Sequence, residues 1–97
     1  MTAGLERFDA ATYLRTEEDI ANYLSDIAED NDANLIAVAL GDVARARNVS
    51  QLAREAGLSR VGLTKALAPG GNPSFATITK IAGAMGLKLE FSVHQRR

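Results

Sequence analysis

The side chains best equipped for chemistry lie in one continuous run, Ser50-Gln51-Leu52-Ala53-Arg54-Glu55-Ala56-Gly57-Leu58-Ser59-Arg60-Val61-Gly62-Leu63-Thr64-Lys65-Ala66-Leu67. Arg60 and Lys65 are permanent cations five positions apart, and the planar fork of Arg60 matches guanine N7/O6 or a phosphate. Thr64 can reach a base edge or a phosphate, and Val61 can touch a thymine methyl. Ser50 and Gln51 could bond phosphates through their side chains and through backbone N–H groups at a helix start. Asn72, Ser74, Thr77 and Lys80 offer similar polar and basic contacts further along. The chemistry on offer is non-covalent binding of a duplex, by phosphate and by base edge. Catalysis has far less to work with. His94 is the one histidine and sits beside Gln95-Arg96-Arg97, no His–carboxylate spacing suggests a metal, and there is no cysteine. Pro69-Gly70-Gly71-Asn72 lacks the Gly-Lys-Ser/Thr ending of a phosphate loop. No enzyme, cofactor or metal site is expected.

Those residues need elements to hold them, and the same run has the pattern of a helix-turn-helix. Ala53 supplies the small residue where a second helix crosses closely, and Gly57, four residues on, supplies the tight turn. Leu58 plugs the core, Leu63 and Leu67 anchor the second helix, and Ser59 is placed to cap it. Ser59, Arg60, Val61, Gly62, Thr64 and Lys65 are left toward the exposed side. Gly62 should weaken that helix by about 1 kcal/mol.

The flanking periodicity predicts further helices. Asp9 can cap a short helix, with Phe8 stapling onto Tyr13. Thr16-Glu17-Glu18-Asp19 approximates a capping box, followed by Ile20, Tyr23, Leu24, Ile27 and Ala28 on one stripe of a helix over 17–30. A helix over 33–47 is apolar around most of its circumference and is expected at the centre, with Gly41 permitting a close crossing. The hairpin helices are expected over 50–56 and from Ser59 to about 67, with Asn48-Val49-Ser50 capping the first. Ser74 should cap a fifth helix over 75–85, with Phe75, Ile78, Ile81, Ala82 and Met85 on one stripe. Leu87, Leu89, Phe91 and Val93 then alternate with Lys88, Glu90, Ser92 and His94, the period of a half-buried strand. With no second strand in the chain, this one is expected to pair with its own copy in a homodimer, or with a partner's strand.

Ninety-seven residues, 46% hydrophobic and 24% charged, suit one globular domain. No apolar run could span a bilayer and the amino terminus has no secretory character, so a cytoplasmic protein away from membranes is expected. The net charge of −1 hides a split. Residues 1–32 hold nine acids and two bases, whereas 33–97 hold nine bases and three acids. An acidic segment (1–32), a basic helix-turn-helix region (33–86) and a strand with a basic tail (87–97) follow from this division.

The chain resembles HigA-like antitoxins of bacterial toxin–antitoxin (addiction) modules, built on a lambda-repressor/Xre-type helix-turn-helix. The resemblance rests on Phe8-Asp9-Ala10-Ala11-Thr12-Tyr13-Leu14, Ala39-Leu40-Gly41-Asp42-Val43-Ala44-Arg45-Ala46-Arg47, the run from Ser50 to Arg60, Lys65-Ala66-Leu67 and Gly71-Asn72-Pro73-Ser74-Phe75. It implies a mostly α fold: a five-helix lambda-repressor-like domain with an acidic amino-terminal helical extension and one carboxy-terminal strand. It also implies neutralisation of a cognate RelE/HigB-like ribonuclease toxin and repression of the protein's own operon through double-stranded operator DNA. Clefts that cut RNA must be basic, so Glu17, Glu18, Asp26 and Glu29 are the candidate toxin contacts. The residues Val61-Gly62-Leu63-Thr64 depart from the polar or aromatic residues this family tends to place between Arg60 and Lys65. Two other readings stay open: a transcriptional regulator without a toxin, and an interaction module whose hairpin no longer binds DNA.

Overall fold

A computed structural model of the chain describes residues 14–93. The expected short helix at Asp9, its Phe8–Tyr13 staple and the tail at 94–97 lie outside the described residues. Within them the chain forms five α-helices: α1 (Glu17–Ile27), α2 (Ala33–Ala46), α3 (Val49–Ala56), α4 (Arg60–Ala66) and α5 (Phe75–Ala84). A single 3-10 turn, Ala28–Asp30, follows α1. None of these helices is long and apolar enough to cross a membrane.

Each helix starts where a short polar side chain can take up an orphan N–H. At α1 the Thr16 hydroxyl accepts from the Asp19 N–H at 3.0 Å, and the Asp19 carboxylate accepts from the Thr16 N–H at 3.2 Å. Asp therefore completes the capping box in place of the usual Glu. Asp32 caps α2 by accepting from Asn34 and Leu35, and Ser59 and Ser74 cap α4 and α5. At α3 the cap is Asn48, whose side chain accepts from the Gln51 N–H at 3.0 Å. The helix begins one residue earlier than the pattern suggested, and Ser50 lies inside it rather than capping it.

One apolar cluster joins all five helices: Ile20 of α1, Leu40 and Val43 of α2, Leu52 and Ala53 of α3, Leu63 of α4 and Ile81 of α5, with Leu14, Leu67 and Met85. α2 carries the most buried residues of any helix, although Leu35 in its first turn is exposed, and it is α3 that packs on three others, α2, α4 and α5. Phe75 also departs from its expected stripe; as the first residue of α5 it overhangs the end of the core and stays exposed. The anticipated close crossing is at Gly41, where an added Cβ would stand 3.2 Å from the Leu67 carbonyl oxygen.

The strand expected over 87–93 is not formed among the described residues. Alternation specifies which faces a strand would show, but the ladder needs a second strand, and the described residues contain none. Leu87 instead closes α5, its N–H bonding the Ala82 carbonyl at 2.9 Å, and packs against the core. Phe91 and Val93 are 91% and 92% exposed.

The loop after α4 returns against its end. Gly71 lies so close that a Cβ there would fall 2.3 Å from the Lys65 carbonyl oxygen and 2.6 Å from that of Ala66. These are backbone atoms and cannot swing aside. Gly71→Ala should therefore destabilise the fold by about 1–3 kcal/mol, the range for overpacked sites. The measurement is a lower urea midpoint at unchanged m-value.

Candidate nucleic-acid interface

The α3–α4 hairpin is built by local rules and then rooted by the core. Gly57 adopts φ +75°, a left-handed conformation that glycine takes at no steric cost, and ends α3. Its N–H bonds the Arg54 carbonyl at 3.1 Å, and the Leu58 N–H bonds Ala53 at 2.8 Å. Three residues later α4 begins, with the Ser59 hydroxyl accepting from the Gly62 N–H at 2.8 Å. This cap is on Gly62 itself, and α4 runs through it unbroken. Ala53 is buried at the crossing, and Leu63 and Leu67 are buried beneath α4, as their spacing predicts.

The opposite side of α4 is open. Arg60, Val61, Thr64 and Lys65 are all exposed, Val61 at 67%. The hairpin brings Arg60 back to Ser50, ten residues earlier, and Arg60 Nη1 donates to Ser50 Oγ at 3.3 Å. Ser50 can make this bond because Asn48 does the capping. The hydroxyl keeps its own proton to donate elsewhere.

The remaining expected contacts differ in what they have left to offer. The Gln51 backbone N–H is taken by Asn48 and its side-chain amide donates one proton to Glu55 at 3.1 Å, which leaves its second amide proton to donate. The Ser59 hydroxyl accepts a backbone N–H but can still donate. Ser74 accepts from the Thr77 N–H and directs its own proton to Thr77 Oγ1 at 2.9 Å. Asn72, at φ +54°, directly follows Gly71 and so lies near the end of α4. Lys80 is exposed on α5, which packs on α3 rather than on α4.

A network that sequence reasoning did not find joins α1 to α2. The Tyr23 hydroxyl donates to Asp42 Oδ2 at 3.1 Å, and Asp42 Oδ1 accepts from Arg45 Nη2. The spacing of Asp42 and Arg45 on a helix was a usable signal for the second contact. Nothing local foretells the first, across nineteen residues. Burial above all, then the hydrogen bond to Asp42 and its charge, push the Tyr23 phenol from near 10 up to about 12, while Arg45 pulls the other way. Arg45, Arg60 and Thr64 together line a groove of about 270 Å³ between α2 and α4.

On α1, Glu17, Glu18 and Asp26 are exposed, as is Glu29 in the turn beyond. The Glu17 carboxylate folds over the backbone of Gly86, within 2.6 Å of where a Cβ would stand, so it faces the end of α5. The ion pairs among the described residues are Arg45–Asp42 and Lys88–Glu90. Among these residues the acids of α1 thus have no ion-pair partner, and neither Arg60 nor Lys65 is paired with an acid.

Among the described residues, five short helices around one core, with acid on the first and cations without an ion-pair partner on a later hairpin, define a small, charge-polarised, mostly helical protein. Over residues 4–93 the chain matches the family described as "probable addiction module antidote protein", and it belongs to that family. It is also 53% identical over 97 residues to an uncharacterised protein of Haemophilus influenzae Rd, covering 100% of this chain and 98% of that one. No solved structure matches it.

The Tyr23 contact has a pH signature. A phenol held protonated in the fold contributes stability that is fully present below its unfolded pKa, near 10, and lost as pH rises through about 12. Ultraviolet titration should show one of the two tyrosines ionising late, and Tyr23→Phe should abolish that step and flatten the stability loss above pH 10. A Tyr23→Phe protein that keeps the late step would refute the contact.

Proposed function

We propose that this antidote protein works with two faces: α1 and its flanking acids neutralise a basic ribonuclease toxin of the RelE/HigB-like kind, and the α3–α4 hairpin binds operator DNA. The resemblance to HigA-like antitoxins of the lambda-repressor/Xre type supports the pairing of the two roles. The observation that carries the DNA half is Arg60, exposed on a capped helix whose opposite side is locked into the core by Leu63 and Leu67. A rigidly rooted helix can hold a guanidinium at a fixed register in the major groove, with Val61, Thr64 and Lys65 beside it. Ser50, and Ser59 through its remaining proton, are suited to phosphate oxygens. Gln51, Asn72, Ser74 and Lys80 belong to the same expected footprint, Lys80 and Asn72 with more donor capacity than the other two.

The acids of α1, without an ion-pair partner among the described residues, support the toxin half. Glu18, Asp26 and Glu29 present negative charge that would speed and orient association with a basic cleft. Leu89, Phe91 and Val93, exposed at the end of the described chain, support a homodimer in which the 87–93 segments pair with each other. Two copies would carry two hairpins, which suits an operator with two half-sites in the cytoplasm.

Mobility shift on a duplex from upstream of the gene tests the DNA half. Arg60→Ala should weaken binding by about 1–3 kcal/mol, roughly 5- to 150-fold at fixed salt, if Arg60 reads a base. Unchanged affinity removes it from the interface. The toxin half is tested by expressing the neighbouring small gene with and without this one. Charge reversal at Glu18 and Glu29 should restore lethality that the wild-type protein suppresses, and full protection by the variant would exclude that face.

A further inference from the structure

We propose that Arg45 is a phosphate-holding residue, carrying the duplex-contact surface from the hairpin onto the end of α2. The inference rests on the reading that α3–α4 binds duplex DNA, and adds a contact from outside the hairpin. Arg45 shares a groove with Arg60 and Thr64, so the three side chains open onto the same strip of surface between α2 and α4. Its Nη1 lies 3.5 Å from the Cβ position of Gly41, which in turn abuts Leu67 at the end of α4. The two guanidiniums therefore sit along one flank of α4, Arg60 at its first turn and Arg45 near its last.

The Arg45 side chain is 68% exposed, yet it is held in place. Asp42 Oδ1 accepts from Nη2, and the other oxygen of the same carboxylate accepts from the Tyr23 hydroxyl, so the carboxylate that aims Arg45 is itself fixed by α1. An ion pair this exposed adds little to stability. What it does supply is orientation, since one N–H of the fork goes to Asp42 and the others remain for a second acceptor. Phosphate is the fitting acceptor rather than a base. Arg45 stands on a different helix, beside α4 rather than on its outward side, where the backbone bordering a major groove would run.

A phosphate contact is indifferent to sequence and sensitive to salt. Binding is measured for the full chain against the upstream duplex and a scrambled duplex of equal length, across a salt series. Arg45→Gln, which keeps an N–H for Asp42 but loses the charge, should weaken both duplexes by the same factor and make the slope of log K against log salt shallower by about one unit. Arg45→Lys should restore the slope, and thermal melts should show both variants folded. A Gln variant with wild-type affinity and slope, while Arg60→Ala binds weakly, overturns the Arg45 contact and leaves the hairpin reading intact. Loss confined to the upstream duplex at unchanged slope also overturns it, because that pattern belongs to a base contact. Wild-type protein that binds neither duplex at low salt refutes the hairpin reading and this inference together.

Discussion

The presentation of α4 depends on how its buried side is held. A seven-residue helix is too short to persist alone in water, because nucleation costs more than so few hydrogen bonds return. α4 exists because Leu63 and Leu67 are sunk into the common core and its carboxyl end rests against Gly41 of α2. The same anchoring leaves Arg60, Val61, Thr64 and Lys65 on the outside. Stability and presentation are one fact here: the residues that hold the helix down also determine which residues face outward.

Charge is the second organising feature. The nearly neutral total conceals an acidic α1 and a basic middle that scarcely pair with each other within the described residues. Had the two halves cancelled internally, neither would present a field to a partner. Because they do not among the described residues, the two proposed faces keep fields of opposite sign. The Tyr23–Asp42–Arg45 network is one polar contact between the two regions, with a phenol from the acidic helix and a guanidinium from α2 sharing a carboxylate.

Much of the scaffold was legible because it obeys local rules. Caps at Thr16, Ser59 and Ser74, the left-handed turn at Gly57 and the apolar stripes of α1 and α5 depend on neighbours within a few residues, which is the range over which spacing is informative. Where two residues competed for one job, as Asn48 and Ser50 did for the α3 cap, the pattern was ambiguous. Asn48 took it, its side chain accepting from the Gln51 N–H three residues on. The segment over 87–93 failed differently. Its alternation is real, but a strand is a relation between two segments, and the described residues offer no second one.

The sequence by itself determined that these five helices exist and roughly where, which stripes carry most of the core, and that acid and base are segregated, since all three follow from side-chain chemistry and short-range geometry. The membership of the groove was decided only by the tertiary structure. Arg45 and Arg60 come to line one groove, and Tyr23 reaches Asp42, because packing three helices against one core sets the crossings that bring distant side chains together. No spacing along the chain encodes that distance.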